Sequence, residues 1–353
     1  MDPIPRFWLI CLFYFMRIDF RSDTVTLPTP GMREAMMNAS VGDDVFGEDP
    51  SIIELESMSA KMFGMEAALF CTSGTMSNQV AIKAHTQPGD EVICERQAHA
   101  YIYEVGGIAF NSGAQVRALE GERGRLHADQ ILCSINPDDV HKARTSLVCL
   151  ENTSNRGGGS CYSFDSIEEI RKICLDHGLQ FHLDGARLFN ALVAKKETPK
   201  QYGTVFDSIS FCLNKGLGCP IGSVLVGNRN FILKARRIRK VFGGGMRQGG
   251  FMAAAGIYAL KNQVDRLAKD HSNARILYEE LSKKQFVKSI MPVETNIVIL
   301  ETLKDFPAQK LATQLRDRDL LSIAIAPHQL RFVTHLDVTD EMMERAVDII
   351  KKL

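Results

Sequence analysis

The sequence predicts an α/β protein with a large domain built on a mainly parallel sheet and a small C-terminal α+β domain. From about residue 60, short apolar runs alternate with helical runs, a pattern typical of a parallel sheet covered by helices on both faces. After about residue 260 the pattern changes to helices that flank short strands. A chain of 353 residues is too long for one simple core and fits one large and one small domain.

The predicted strands of the large domain are short apolar runs bounded by turn residues or helical patterns. In chain order, they are Ala67–Cys71, Glu91–Cys94, Leu147–Leu150, Gln180–Leu183, Ser208–Leu213 and Ser223–Gly227. Helices are expected at Met76–His85 and from Asp165 onward. Asp165 and Glu168 form a capping-box pattern, and Gly178 is expected to end this second helix.

The large domain is predicted to span residues 18–260, and the small domain residues 261–353. The elements expected in the small domain are helices near Asp265–Lys284 and Pro307–Arg316 and strands near Asn296–Leu300 and Leu330–Val333. Thr339 is expected to cap a final helix, because apolar residues recur after it at helical spacing.

Charge and cysteine content favour an ordinary intracellular protein. The chain has 42 Lys and Arg against 42 Asp and Glu, and this balance argues against nucleic acid or a membrane as the main partner. Nine Cys are scattered from Cys11 to Cys219, without a CxxC pair or a zinc-like spacing with His. We therefore expect reduced thiols, no metal site and a cytoplasmic location.

Residues 1–17 form an apolar extension that is left out of the fold prediction. Phe7–Met16 is an apolar run that is too short to span a bilayer, which takes about 20 residues. The run resembles the apolar core of a signal peptide, but no small-residue cleavage site follows it before Ile18. A targeting segment and a plain apolar or anchoring extension both remain open.

Several polar residues follow predicted strands, where ligands bind in an open parallel sheet. Asp184 follows the strand Gln180–Leu183, and Lys215 follows the strand Ser208–Leu213. Ser73, Gly74 and Thr75 follow the first strand of the large domain and open a helix. Free N–H groups and the helix dipole make such a start suitable for a phosphate, although taken alone it is equally typical of a plain N-cap.

The combination of these features predicts a pyridoxal-phosphate (PLP) enzyme. A lysine can form an imine with the cofactor, and an aspartate can keep the pyridine nitrogen protonated, so that the ring accepts electrons. The helix start at Gly74 and Thr75 would hold the phosphate. Lys215 lies about thirty residues after Asp184, and neither residue alone would indicate more than a structural role.

From about Ile18 to the C-terminus, the sequence resembles the low-specificity L-threonine aldolases, PLP enzymes of the aspartate-aminotransferase fold (type I). The stretches that carry the resemblance are Arg21–Thr26 (RSDTVT), Gly42–Pro50 (GDDVFGEDP), His99–Gly107, Glu151–Thr153 (ENT), His182–Asn190 (HLDGARLFN), Lys215–Ser223 (KGLGCPIGS), Gly243–Gln248 (GGGMRQ), Val293–Asn296 (VETN) and Arg331–Val338 (RFVTHLDV). They occur in the order that the family has.

The resemblance implies roles for individual residues. Lys215 matches the Schiff-base lysine, Asp184 the partner of the pyridine nitrogen, and His99 the imidazole that stacks on the cofactor ring near the substrate hydroxyl. Gly74 and Thr75 match the phosphate cradle. The clamp on the substrate carboxylate is matched by Ser22, Arg187 and Arg331, and a bidentate arginine suits a planar carboxylate. Arg247, in the glycine-rich loop, is expected to help build the cofactor site, across a subunit interface.

The implied reaction is the retro-aldol cleavage of L-threonine or L-allo-threonine to glycine and acetaldehyde through an external aldimine of PLP. It would serve threonine catabolism and glycine formation. The resemblance also implies a homotetramer, or a dimer, with shared active sites. The sequence does not decide between threonine and allo-threonine.

Three positions depart from the family pattern. Ser154 stands where the family usually has a histidine facing the substrate hydroxyl, so it is the expected residue of this part of the substrate site. Phe46 replaces a tyrosine, and Asn214 replaces a serine before Lys215. A general base typically contributes roughly 10²–10⁴-fold to a rate, and His99 is expected to cover part of the loss at residue 154.

Other functions stay open at this point. Another PLP reaction, such as β-elimination or transamination, would yield pyruvate or a keto acid in place of aldehyde and glycine. A catalytically weakened PLP-binding homologue is a further alternative, suggested by the three departures. A dinucleotide-binding protein is disfavoured, because Gly243–Gly245 lacks the GxGxxG spacing and follows no strand.

Overall fold

The structure, a computed structural model, describes residues 17–353. The apolar run Phe7–Met16, with the targeting segment considered for it, lies outside the described residues. Among the residues described, no helix combines the length and the apolar character needed to cross a membrane.

The strands follow the chain in regular alternation with helices. They are β1 (Ile18–Asp19), β2 (Ala67–Cys71), β3 (Glu91–Glu95), β4 (Gln115–Leu119), β5 (Thr145–Glu151), β6 (Gln180–Gly185), β7 (Ser208–Cys212), β8 (Ser223–Gly227), β9 (Val287–Ile290), β10 (Ile297–Thr302), β11 (Leu320–Leu321), β12 (Ile323–Ala326) and β13 (Gln329–Val333). The α-helices are α1 (Pro30–Met37), α2 (Pro50–Phe63), α3 (Gly74–His85), α4 (His99–Ile102), α5 (Ala128–Leu132), α6 (Phe164–Asp176), α7 (Leu188–Lys195), α8 (Pro199–Val205), α9 (Arg229–Val241), α10 (Gly250–Asn262), α11 (Leu267–Leu281), α12 (Ala308–Arg316) and α13 (Asp340–Lys351). A 3₁₀ turn (Asp23–Val25) and a π-helical turn (Ile108–Ser112) complete the helical elements.

The large sheet has the strand order β2-β8-β7-β6-β5-β3-β4. Only β8 runs against its neighbours, so the predicted mainly parallel sheet is confirmed. The strands β3, β5, β7 and β8 are buried along their whole length, which explains why they read as continuous apolar runs. The edge strand β4 was not predicted, because Gln115 and Arg117 interrupt its apolar residues and the strand is partly exposed.

The strand order brings four carboxyl ends to one edge of this sheet. Glu151 at the end of β5 lies beside Asp184 of β6, and Asp184 lies beside Ser210 of β7. The ends of β2 and β7 both pair with Ser223, at the start of β8. Residues that follow these strands are therefore neighbours in space.

The C-terminal part of the chain forms a second, antiparallel sheet with the order β12-β13-β10-β9. Helices α11, α12 and α13 bury apolar side chains against it, in a core that includes Leu277, Leu311, Phe332 and Ile350. Thr339 caps α13 as predicted, since its side chain accepts a hydrogen bond from the backbone of Met342. The predicted small α+β part of the fold is thus confirmed.

The first described strand packs against this C-terminal part. β1 pairs in parallel with β11, and the carbonyl of Phe20 accepts a hydrogen bond from Val333. The Phe20 ring is fully buried and lies edge-on to Phe332, with 6.3 Å between ring centroids. Residues 18–20 thereby contribute to the C-terminal core, and the boundaries proposed at residues 18 and 260 stay predictions.

The start of α6 differs from the prediction. Ser163, not Asp165, is the N-cap, because Ser163 has extended backbone angles and its hydroxyl accepts from Ser166. Asp165 lies in the first turn, where a carboxylate is favoured by the helix dipole. Gly178 follows the end of the helix with a φ of +65°, which is the left-handed conformation expected of a glycine there.

We expect Phe20→Ala to lower the free energy of unfolding by about 3–5 kcal/mol, because it removes a buried aromatic ring from the C-terminal core. Urea unfolding followed by circular dichroism measures the change. The matched control is Leu27→Ala, at a side chain that is 61% exposed. Equal unfolding curves for the two variants would contradict this account of the N-terminal strand.

Candidate active site

A cleft of about 380 Å³ lies between the carboxyl edge of the large sheet and the C-terminal sheet. It is lined by Ser22, Thr24, His99, Tyr103, Asn155, Arg156, Arg187, Lys215, Ile323, Ala324, Ile325 and Arg331. Five residues named from the sequence therefore meet here: Ser22, His99, Arg187, Lys215 and Arg331. The volume is in the range of small-ligand sites.

Asp184 lies at the end of β6 and is 2% exposed. Its carboxylate accepts hydrogen bonds from the side-chain amide of Asn78 at 2.8 Å and from the backbone of Ala186 at 3.1 Å. A carboxylate has about four acceptor positions, so it can still accept from a protonated ring nitrogen. This buried acceptor fits the pyridine end of PLP.

His99 opens α4 and is held by Glu104, whose carboxylate lies 3.0 Å from Nδ1 of the imidazole. The Glu104 carboxylate is fully buried and also accepts from the amides of Asn78 and Gln79. Burial alone would lower the pKa of His99, but the hydrogen bond to Glu104 and the charge of Asp184 outweigh it and raise that pKa. Nδ1 is therefore the donor to Glu104, and Nε2 remains for a ligand in the cleft.

The carboxylates of Glu104 and Asp184 and the His99 imidazole also lie close enough to one another to hold a metal ion. In the structure, however, a hydrogen bond joins the imidazole to Glu104, and the amide of Asn78 donates to both carboxylates. These bonds give each of the three side chains a hydrogen-bond partner within the group, and of the three only His99 lines the cleft.

Glu151 holds two walls of the cleft together. One carboxylate oxygen accepts from the backbone of His99 at 2.7 Å, and the other accepts from the backbone of Asn155 at 2.8 Å. Burial and then the neighbouring charge of Asp184 raise the pKa of Glu151 to about 7, against the opposing effect of these hydrogen bonds. Glu151 therefore changes charge near neutral pH.

Two arginines reach the cleft with different partners. Arg187 is buried and makes a bidentate ion pair with Asp23, at 2.7 and 2.6 Å, which engages two of its three nitrogens. Arg331 donates to the side chain of Asn155 and to the backbone of Arg21, while its buried Nε has no partner among the described residues. Burial and the nearby charge of Arg187 lower the pKa of Arg331 to about 10, so it stays cationic at neutral pH.

The start of α3 has the form expected of a phosphate cradle. Ser73 caps the helix through Met76, and the N–H groups of Gly74 and Thr75 come before the first intrahelical bond, so they point outward. Gly74 packs closely on the side chain of Cys212, since a Cβ added at Gly74 would lie 2.6 Å from the sulfur. A larger residue would push this turn away from the sheet edge.

Other predicted residues are not brought to the cleft within the described chain. Ser154 is buried, and its hydroxyl accepts from the backbone of Gly157 and lies against Gly124. Arg247 is largely exposed and pairs with Asp43 at 2.8 Å. Phe46 is 75% exposed. Asn214 has a buried side-chain oxygen without a hydrogen-bond partner.

Four residues that shape the site were not identified from the sequence: Asn78, Glu104, Asp23 and Asn155. Two of them, Glu104 and Asp23, lie inside stretches that carry the family resemblance. A single acid in such a stretch does not reveal its partner, because the partner is distant in sequence. Asn78, for example, reaches Asp184 across 106 positions.

The fold and the cleft together define a class of protein. PLP enzymes of fold type I build their cofactor site at the carboxyl edge of such a sheet, and the residues at this edge suit the ring, the phosphate and the aldehyde of PLP. A model of the family described as beta-eliminating lyase matches residues 19–304.

Comparisons with individual proteins give the same result. The chain is 40% identical to the probable low-specificity L-threonine aldolase 2 of Arabidopsis thaliana, over 95% of this chain and 97% of that protein. It is 43% identical to the low specificity L-threonine aldolase of Escherichia coli K12, over 92% of this chain and 96% of that protein. The fold matches a solved threonine aldolase structure of Leishmania major with a TM-score of 0.83 and 21% identity, over 95% and 99% of the two chains.

The chain therefore belongs to the beta-eliminating lyase family and, within it, to the low-specificity L-threonine aldolases. The resemblance stated from the sequence is confirmed, and so is the expectation of a PLP-dependent lyase.

We expect Glu151→Gln to remove a pH dependence of stability between about pH 4.5 and pH 7. Because the folded-state pKa is raised from the ordinary value of 4.5, the folded protein holds this proton across the window and the unfolded chain does not. The free energy of unfolding of the unmodified protein therefore falls as pH rises through the window. Relative to it, the variant should gain stability from about pH 4.5 to about pH 7 in urea unfolding of the holoenzyme.

The control is Glu91→Gln, at a buried carboxylate on the opposite edge of the sheet. Burial of Glu91 is outweighed by hydrogen bonds from Arg117 and Gln115, which lower its pKa. The stability that the ionised Glu91 carboxylate gives the folded protein is lost only as pH falls below about 4.5. The same pH trend in both variants would contradict the assignment to Glu151.

Proposed function

We propose that the protein cleaves L-threonine and L-allo-threonine to glycine and acetaldehyde with PLP, and so acts in threonine catabolism and glycine formation. The observation that carries the proposal is the cleft itself, where Lys215, His99, Arg187 and Arg331 face one another. The names of the curated relatives support the same reaction.

In this proposal, the chain holds PLP at four points. Lys215 would bind its aldehyde carbon, Asp184 would accept from its ring nitrogen, and His99 would contact its ring. The outward N–H groups of Gly74 and Thr75 bind the phosphate. When bound, the cofactor supplies an electron sink for the negative charge left on Cα after cleavage.

The substrate carboxylate is bound by Arg331, the free nitrogen of Arg187 and the hydroxyl of Ser22. Among the described residues, Nη1 of Arg187 makes no hydrogen bond, and each Nη of Arg331 carries a second hydrogen besides the one donated to Asn155 or Arg21, so both arginines leave donors for it. Arg187 is held rigidly by Asp23, so the carboxylate is fixed in one orientation. Fixing it orients the Cα–Cβ bond and decides which bond breaks.

The proton of the substrate β-hydroxyl is taken up by His99 in this proposal. His99 is the imidazole that lines the cleft within the described chain, and Glu104 leaves its Nε2 free. Ser154 has its hydroxyl engaged with Gly157, so we expect it to shape the loop beside the substrate. Its assignment to substrate binding stays a prediction.

We also propose a homotetramer, or a dimer, whose copies complete one another's active sites. The exposed Phe46, Val45 and Ile53 form an apolar face beside the ion pair of Arg247 and Asp43, and apolar faces of this kind mark interfaces. In such an assembly, Arg247 reaches the phosphate end of a neighbouring site.

A cytoplasmic location is proposed on the buried free thiols, such as Cys71 and Cys212.

The test is incubation of the holoenzyme with L-threonine or L-allo-threonine, with acetaldehyde and glycine assayed in the same sample. Equal amounts of both products, abolished in Lys215→Ala, are expected. Formation of pyruvate or a keto acid would indicate another PLP reaction. Cofactor binding without any product would indicate a weakened homologue.

We expect Glu104→Gln to lower kcat roughly tenfold to a hundredfold with a smaller change in KM, because the amide no longer fixes Nδ1 of His99 as the donor. The pH profile of kcat should shift as well, since His99 loses the hydrogen bond that raises its pKa. Steady-state assays with L-allo-threonine measure both effects.

The matched control is Glu95→Gln, a buried carboxylate at the end of β3 that binds the backbone of Gln97 and Gly121 and does not line the cleft. It should keep kcat within about twofold. If the two variants lose kcat equally, the effect is structural and the role given to Glu104 is wrong.

A further inference from the structure

The charged side chains that line the cleft include four cations. Lys215 and three arginines, Arg156, Arg187 and Arg331, face it, and its lining residues include no aspartate or glutamate. Asp23 lies behind the wall and neutralises Arg187. Such a cleft attracts anions and holds them more strongly than a neutral ligand of equal size.

The amino-acid substrate of the proposed function does not account for all of this charge. Lys215 is used by the cofactor, and one α-carboxylate is matched by Arg331 and Arg187. Arg156 is the remaining cation of the cleft, and neither the cofactor nor the α-carboxylate accounts for it. Its guanidinium donates to the backbone oxygen of Ile325 at 3.3 Å, and it forms no ion pair with a carboxylate of the described residues.

Arg156 lines the cleft from the loop that follows β5. It follows Asn155, which binds Arg331, and it contacts Ile325 of β12, in the opposite wall. Its charge is also felt at Arg331, where it adds to burial and Arg187 in lowering the pKa. A ligand whose α-carboxylate is bound by Arg331 would therefore occupy a cleft that Arg156 also lines.

We propose that Arg156 forms a subsite for a second anionic group on Cβ, so that the protein accepts β-hydroxy-α-amino dicarboxylates, such as 3-hydroxyaspartate. That a second anionic group binds at Arg156 is argued from the charge of the cleft. That such dicarboxylates are also cleaved rests on the proposed function. A guanidinium that has only a backbone carbonyl as partner can still offer two donors to a carboxylate.

The reaction balances without any co-reactant. The Cα–Cβ bond of 3-hydroxyaspartate breaks, its electron pair stays on Cα, and the β-hydroxyl proton leaves as the C–O bond becomes a carbonyl. Cα then takes one proton. The products are glycine and glyoxylate, and no oxidant or reductant is needed.

The plain structural interpretation is that Arg156 joins the loop after β5 to the C-terminal sheet through Ile325. A residue with only this role would affect all ligands of the cleft alike. A charge subsite would instead change the ratio of affinities between an anionic and a neutral side chain. The ratio is therefore the quantity to measure.

The test compares L-aspartate with L-2-aminobutyrate, which have no β-hydroxyl and so cannot undergo retro-aldol cleavage. Their dissociation constants are measured from the visible absorption of the holoenzyme. We expect aspartate to bind on the order of tenfold more tightly, as one charge-assisted pair would give. Arg156→Lys should keep most of the ratio, and Arg156→Gln should bring it close to one.

The matched control is Arg123→Gln. Arg123 likewise joins a loop of the large sheet to the C-terminal part, through Pro292 and Glu294, but it does not line the cleft. It should leave the ratio unchanged. If aspartate binds no better than 2-aminobutyrate, or if Arg123→Gln and Arg156→Gln change the ratio equally, the subsite is refuted.

A second measurement separates this inference from the proposed function. Glyoxylate and glycine are assayed after incubation with 3-hydroxyaspartate, beside the threonine assay. If aspartate binds more tightly than 2-aminobutyrate but threonine is not cleaved, the proposed reaction is overturned and the subsite is still supported. Cleavage of threonine but not of 3-hydroxyaspartate would refute the dicarboxylate activity.

Discussion

The active site depends on one amide. Asn78 donates from the same nitrogen to Asp184 at 2.8 Å and to Glu104 at 3.0 Å, so two buried carboxylates lie close together without being left unpaired. Ser210 fixes the orientation of this amide by donating to its oxygen. Because Asn78 belongs to α3, the same contact positions the helix whose start is the proposed phosphate cradle. Asp184, the His99 imidazole and this helix start are thereby positioned as one unit.

A second constraint on the site is that the N-terminal segment packs against the C-terminal sheet. β1 and Phe20 are packed there, which brings Ser22 and Asp23 to the cleft between the two sheets. Asp23 then binds Arg187 from the large sheet, while Arg331 comes from the C-terminal sheet. The proposed carboxylate clamp is therefore assembled from three separate parts of the chain, and its geometry depends on how the two sheets pack.

The sequence predicted the fold well where burial decides it. Buried parallel strands such as β5 and β7 read as apolar runs, and the strand-end rule located Asp184 and Lys215. It failed at the edge strand β4, which is partly exposed and mixes polar with apolar residues. The site was predicted only in part, because the partner of a buried polar group is set by tertiary contacts. Glu104 and Asn155 gave no local signal, whereas Arg247 stays exposed in a single chain.

The central claim is that Lys215 at this sheet edge is the residue that carries the cofactor. Reduction of the PLP-loaded protein with borohydride makes that bond permanent, and peptide mass spectrometry then locates it. A single pyridoxyl group on the peptide that contains Lys215, prevented by prior addition of excess L-allo-threonine, is the predicted result. Attachment to a different lysine, or no attachment in a protein that still binds PLP, would contradict the account.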